Sequence, residues 1–155
     1  MTAPRIIVLL GVIGVGCADT ALEAEPPELD RAVFETQVYP VLLRDCGFPS
    51  CHASSDRFFQ VYGPGRTRLD PSVGLNDAPT PDELSQAFDR SRSMAASTPV
   101  PEESLLLRKP LAEEAGGAGH EGLDAFGRNV YLDPTDPGYR VLVCWATANR
   151  AEGCP

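Results

Sequence analysis

Proline and glycine together limit what this chain can fold into. Fifteen prolines and fourteen glycines are spread through 155 residues. Proline fixes φ and removes a main-chain donor, and glycine adds backbone freedom. The pattern predicts short helices joined by long, irregular connections. From Glu28 the apolar residues Phe34, Val38 and Leu42 recur every four positions with Val41 beside them, and Pro40 inside this run is expected to kink or split the helix. Thr80 is a good N-cap, Pro81 suits the first helical position, and Asp82 and Glu83 favour the first turn. A helix to about Met94 is expected there, with Leu84 and Phe88 on one face and Pro99 and Pro101 ending it. Residues 102–108 read as one or two turns with Leu105 to Leu107 directed inward. Residues 115–122, Ala-Gly-Gly-Ala-Gly-His-Glu-Gly, read as a flexible loop. Asp136 and Pro137 open a last helix with Tyr139, Leu142, Val143 and Ala146 as its buried stripe and Trp145 and Val141 flanking. No stretch alternates as a half-buried strand would, and no segment repeats. The fold class is mainly α.

The length suits one domain with one modest core, and a chain this rich in helix breakers needs additional fastening. Formal net charge is −9, and the basic residues are scattered. Nucleic acid and anionic membrane surfaces are therefore poor partners, whereas a basic partner protein is compatible with the charge.

Residues 6–15 form an apolar run behind Arg5 that is too short to span a bilayer and suits a signal-peptide core. The run ends Gly14-Val15-Gly16-Cys17, which resembles the bacterial lipobox, although Val15 departs from the small residues commonest at that position. The resemblance implies a lipoprotein-type signal peptide over residues 1–16, lipidation at Cys17, a lipid-anchored acidic linker over residues 17–27 and a folded domain over residues 28–155. Ordinary cleaved secretion is the alternative. Either places the domain on the exported, periplasmic or cell-surface side of a bacterial membrane, where cysteines oxidise.

Four further cysteines remain. Cys144 and Cys154 are separated by a short loop and suit a disulfide that staples the C-terminal tail. Cys46 and Cys51 are followed at once by His52 in the order Cys-Gly-Phe-Pro-Ser-Cys-His. This resembles the haem-attachment motif of c-type cytochromes, usually C-x-x-C-H, in a longer C-x4-C-H variant found in some multihaem cytochromes. The stretch from Val38 to His52, with Ser104 to Pro110 and the Gly-rich histidine segment, is similar to cytochrome c-like domains of exported planctomycete and myxobacterial proteins. The likeness covers roughly residues 29–149.

That resemblance implies a small cytochrome c-like fold, its first and last helices crossing and loops lining a haem crevice. It implies haem c bound covalently through Cys46 and Cys51, with His52 as an axial iron ligand. The haem would supply the missing fastening and apolar bulk. Gly63-Pro64 falls where such cytochromes carry a Gly-Pro pair, so the Pro64 carbonyl is expected to accept the His52 ring N–H. Tyr62 and Phe59 would suit the crevice wall and Phe58 the core, and Arg66 and Arg68 could pair with haem propionates, although solvated surface arginines are the preferred reading of both. His120 is the expected sixth ligand, with Met94 as the alternative. The implied function is a membrane-anchored electron carrier working with a redox partner protein, and not an enzyme, although a small haem peroxidase with an open sixth site is a further reading. Read without the resemblance, the same residues allow a Cys46–Cys51 disulfide in a stapled binding lipoprotein, or a zinc site of Cys46, Cys51, His52 and His120.

Overall fold

Helix boundaries in this chain follow from cap chemistry. The computed structural model describes residues 28–120 and 130–154. The expected signal peptide over residues 1–16, the expected lipidation site Cys17 and the expected linker to residue 27 lie outside them, as does the stretch 121–129. The described residues are mainly helical. A first rod comprises α1 (Arg31–Val33), a π-helical turn (Phe34–Val38) and α2 (Tyr39–Asp45). It is followed by α3 (Pro81–Ala95), α4 (Leu105–Arg108) and α5 (Pro137–Ala146), with 3-10 turns at Pro101–Glu103 and Glu113–Ala115 around α4. An isolated parallel bridge pairs Leu111 with Tyr131.

The Asp30 carboxylate accepts from the Val33 amide and starts the rod. Pro40 does not split it. A proline ring in a regular helix meets the carbonyl four residues back and offers no N–H. Here the turn just before it widens, so that the Tyr39 amide donates to the Phe34 carbonyl five residues back. Helix α3 opens on a full capping box between Thr80 and Glu83. Helix α5 opens on Asp136, whose carboxylate accepts from the Gly138 and Tyr139 amides. Beyond α5, Ala148 and Asn149 adopt φ of 50° and 61°, and the chain folds back so that Cys144 and Cys154 form a disulfide.

The core sits where the rod, α3 and α5 meet. Phe34 is fully buried and packs against Phe88 of α3 (ring centroids 5.3 Å) and Trp145 of α5 (5.1 Å). Trp145, expected at the flank of its helix, is instead buried, and its indole N–H donates to the Asp30 carbonyl at 2.9 Å. The first and last helices are thus joined by one aromatic cluster and one hydrogen bond. In α4 only Leu106 and Leu107 are buried, whereas Leu105 is 40% exposed.

Candidate functional site

The C-terminus of α2 delivers Cys46 to the interior. Its amide closes the last helical turn on the Leu42 carbonyl. The next six residues form a loop tied back on itself: the Cys51 and Ala53 amides donate to the Phe48 carbonyl at 2.8 and 3.1 Å, and the His52 amide donates to the Cys46 carbonyl at 3.0 Å. Gly47 is required there, because a Cβ would stand 2.9 Å from the Leu43 carbonyl oxygen. Phe48, Pro49 and Ser50 point outward, while Cys46 is buried and Cys51 half-buried, both as free thiols. Burial, reinforced by Asp45 and Cys51, pushes the Cys46 thiol up to about 12, so it stays protonated at neutral pH.

His52 is held by its ring and its main chain. Its carbonyl accepts from the Val61 amide at 2.7 Å, and its Nδ1 lies 2.9 Å from the Phe59 carbonyl oxygen. A carbonyl only accepts, so Nδ1 carries the proton. Burial lowers the pKa of the imidazole, the carbonyl bond opposing this in part. The ring is therefore neutral, with its lone pair on Nε2, the state in which histidine ligates metals. The Phe59 ring packs edge-on against it, centroids 4.8 Å apart.

Cys46, Cys51 and His52 open onto one cavity of about 880 Å³, which Met94 from the end of α3 and His120 also line. The volume lies within the range of small-molecule and cofactor sites. Its walls are largely apolar, from Leu42, Phe59, Leu106, Val130 and Leu142. The His52 and His120 ring centroids are 5.7 Å apart at an interplanar angle of 82°. The chain leading to His120 is pinned, contrary to the expected flexible loop. The Gly117 amide donates to the Ala112 carbonyl and the Ala118 amide to the Arg108 carbonyl, both at 2.9 Å, and Lys109 Nζ donates to the Gly119 carbonyl at 3.3 Å. Among the described residues no three His, Cys, Asp or Glu side chains converge to hold a metal ion by themselves.

Several expected roles fall to other residues. The carbonyl that accepts from His52 belongs to Phe59, not Pro64, because the Val61–His52 main-chain bond turns the chain back early. Gly63-Pro64-Gly65 is a turn of its own, closed by the Gly63 amide on Thr67 and the Gly65 amide on Leu75. Tyr62 is buried outside the cavity wall, its carbonyl accepting from the Tyr39 hydroxyl at 2.6 Å. Phe58 is no core residue; it is 60% exposed and lines the cavity. Arg68 is buried in an ion pair with Glu83, and Arg66 donates to the Leu43 and Arg44 carbonyls at the end of α2. The cations that do line the cavity are Arg44, Arg57 and Lys109. Arg44 faces Asp45, whose other partner is the Tyr131 hydroxyl at 2.8 Å. Arg57 carries no helical or motif signal, and Lys109 falls within the Ser104 to Pro110 stretch, which gives no sign that its side chain reaches a cavity. No protein-family model, curated protein or solved structure matches this chain.

Proposed function

We propose that this chain is an exported, lipid-anchored c-type cytochrome that transfers single electrons through one covalently bound haem, on a small cytochrome c-like fold. One observation carries the reading: two free thiols, a neutral histidine with its Nε2 lone pair available, and both candidate distal ligands line a single apolar cavity. The haem supplies an iron that takes up and releases one electron. Cys46 and Cys51 would hold it covalently through thioether bonds. His52 binds through Nε2, and the Phe59 carbonyl fixes its tautomer and raises its basicity. His120 would be the second side chain on the iron, with Met94 as the alternative; both line the cavity. The His52 and His120 rings stand 5.7 Å apart, centroid to centroid, at the same cavity. Arg57 and Lys109, which line the cavity, would be available to pair with the acidic groups of the haem. The apolar walls keep water out and disfavour the extra charge of the oxidised state.

The test is a pyridine haemochrome spectrum of the protein expressed with a cytochrome c maturation system. A c-type α-band that survives acid–acetone extraction, and is lost in the Cys46→Ala/Cys51→Ala variant, is expected. Protein that emerges without haem under those conditions overturns the reading.

A further inference from the structure

We infer that Arg66 is the positioning residue for the two thiols: its guanidinium clamps the four-residue loop between Cys46 and Cys51 onto the end of α2. The inference deepens the haem reading and rests on it, because the haem is what the thiols are held for. Four intervening residues leave such a loop many conformations, so the place of each thiol depends on what fixes the residues between them. The Cys46 and Gly47 amides take the Leu42 carbonyl at the end of α2. Arg66 takes the next two, its Nε donating to the Leu43 carbonyl at 3.0 Å and its Nη2 to the Arg44 carbonyl at 3.3 Å. A cation at these last-turn carbonyls also meets the negative end of the helix dipole. The same guanidinium lies over the Phe48 ring, 4.2 Å from its centroid. A planar fork can do both at once, bonding through its edge and stacking through its face.

Phe48 is the residue through which the loop is best held. Its carbonyl accepts from the Cys51 and Ala53 amides, so the residue under the guanidinium also carries the segment that bears Cys51 and His52. Arg66 therefore grips both sides of the loop, the helix end that leads to Cys46 and the residue that anchors Cys51. The base of the clamp is itself fixed. The Gly63 amide donates to the Thr67 carbonyl and the Arg66 amide to the Gly63 carbonyl, both at 3.1 Å, and the Gly65 amide donates to the Leu75 carbonyl at 2.8 Å. Arg66 Nη1 returns to the Gly65 carbonyl at 3.0 Å. This turn is seated on the same rod: the Tyr39 hydroxyl donates to the Tyr62 carbonyl at 2.6 Å, and that hydroxyl leaves no room for a Cβ at Gly63. The Gly63-Pro64-Gly65 turn, which supplies no carbonyl to His52, is thus the seat from which Arg66 reaches the loop. Arg66 does not line the cavity; it acts on the thiols through the main chain.

The test is made on folded, haem-free protein labelled with iodoacetamide at pH 8 and read by peptide mass spectrometry. Cys46 is buried, so its labelling rate reports how often the loop opens. Arg66→Met keeps an apolar side chain of similar length against Phe48 and removes every donor. It is expected to raise the Cys46 rate at least roughly tenfold and so to narrow the gap to Cys51. Arg66→Lys keeps the charge without the planar fork and is expected to fall between the parent and Arg66→Met. Trp145→Phe weakens the fold at the far end of the rod, where the indole meets Asp30, and is expected to leave the Cys46 rate as in the parent. An unchanged Cys46 rate in Arg66→Met, or an equal rise in Trp145→Phe, overturns the clamp and leaves the haem reading intact. Protein without an α-band in the haemochrome test overturns the haem reading, and with it the purpose of the clamp, whatever the labelling shows.

Discussion

The Nδ1 nitrogen of His52 donates to the main-chain carbonyl of Phe59 across 2.9 Å. Because the acceptor is backbone, no substitution of the Phe59 side chain removes it, and the ring is fixed in one tautomer before any ligand arrives. Burial holds this imidazole below its ordinary 6.5. An unfolded chain, where His52 titrates near that value, binds a proton that the folded chain refuses. Stability from His52 is therefore complete above about pH 6.5 and is lost as pH falls through the interval to the folded value. Haem-free protein should require less urea to unfold at pH 5.5 than at pH 7.5, and His52→Asn should reduce that difference. Equal slopes for the two proteins would show that His52 titrates normally.

The two thiols beside it should differ in reactivity. The Cys46 thiol, buried and pushed up to about 12, offers almost no thiolate at pH 8, and the thiolate is the nucleophile. Cys51 is half-buried. In folded haem-free protein, iodoacetamide at pH 8 should label Cys51 at least roughly tenfold faster than Cys46, as read by peptide mass spectrometry. In the haem-loaded protein neither should be labelled. Equal labelling of both in the folded state would contradict the burial of Cys46.

Parts of this architecture that depend on neighbours in sequence were legible. The Thr80 N-cap and the Asp136-Pro137 start set α3 and α5, and Cys46, Cys51 and His52, close in sequence, line one cavity. Features set by distant contacts were not. That Phe59 rather than Pro64 accepts from His52 depends on the main-chain bond between Val61 and His52, which carries no residue signature. Arg66 and Arg68 looked like cavity cations, yet one closes α2 and the other pairs with Glu83, while Arg57 and Lys109 reach the cavity through loops without periodicity. Trp145 reads as a flanking residue of α5 in the sequence, and only the approach of Asp30 gives its N–H a buried partner.

The junction of the first and last helices should be the most sensitive part of the core. Phe34 is fully buried between Phe88 and Trp145. Phe34→Ala is expected to cost about 3–5 kcal/mol through lost burial and the cavity left behind. Trp145→Phe keeps most of the apolar contact and loses the bond to the Asp30 carbonyl, for about 1 kcal/mol plus the packing mismatch. Urea denaturation of the two variants measures both. A Trp145→Phe cost as large as that of Phe34→Ala would mean that the hydrogen bond, not the aromatic packing, dominates this junction.

The ion pair of Arg68 with Glu83, 2.8 Å from Nε to Oε1, anchors the long connection before α3. Arg68 also donates to the Ala78 carbonyl, so one guanidinium gathers that loop onto the helix start. Burial pushes the Glu83 carboxyl up, but Arg68 and the Thr80 and Leu69 amides outweigh it and hold the group below its ordinary 4.5. Its contribution to stability is thus present above about pH 4.5 and is lost as pH falls through the lower folded value. Arg68→Met reverses the sign. It leaves a buried carboxylate without its cation, so the melting temperature at pH 7 should drop by roughly 10 °C. Protonation of Glu83 then relieves the penalty, and between pH 7 and pH 5 the variant should recover part of the deficit relative to the parent chain. Melting curves across that range decide the point: a constant gap between the two proteins would mean that Glu83 is not held charged by Arg68.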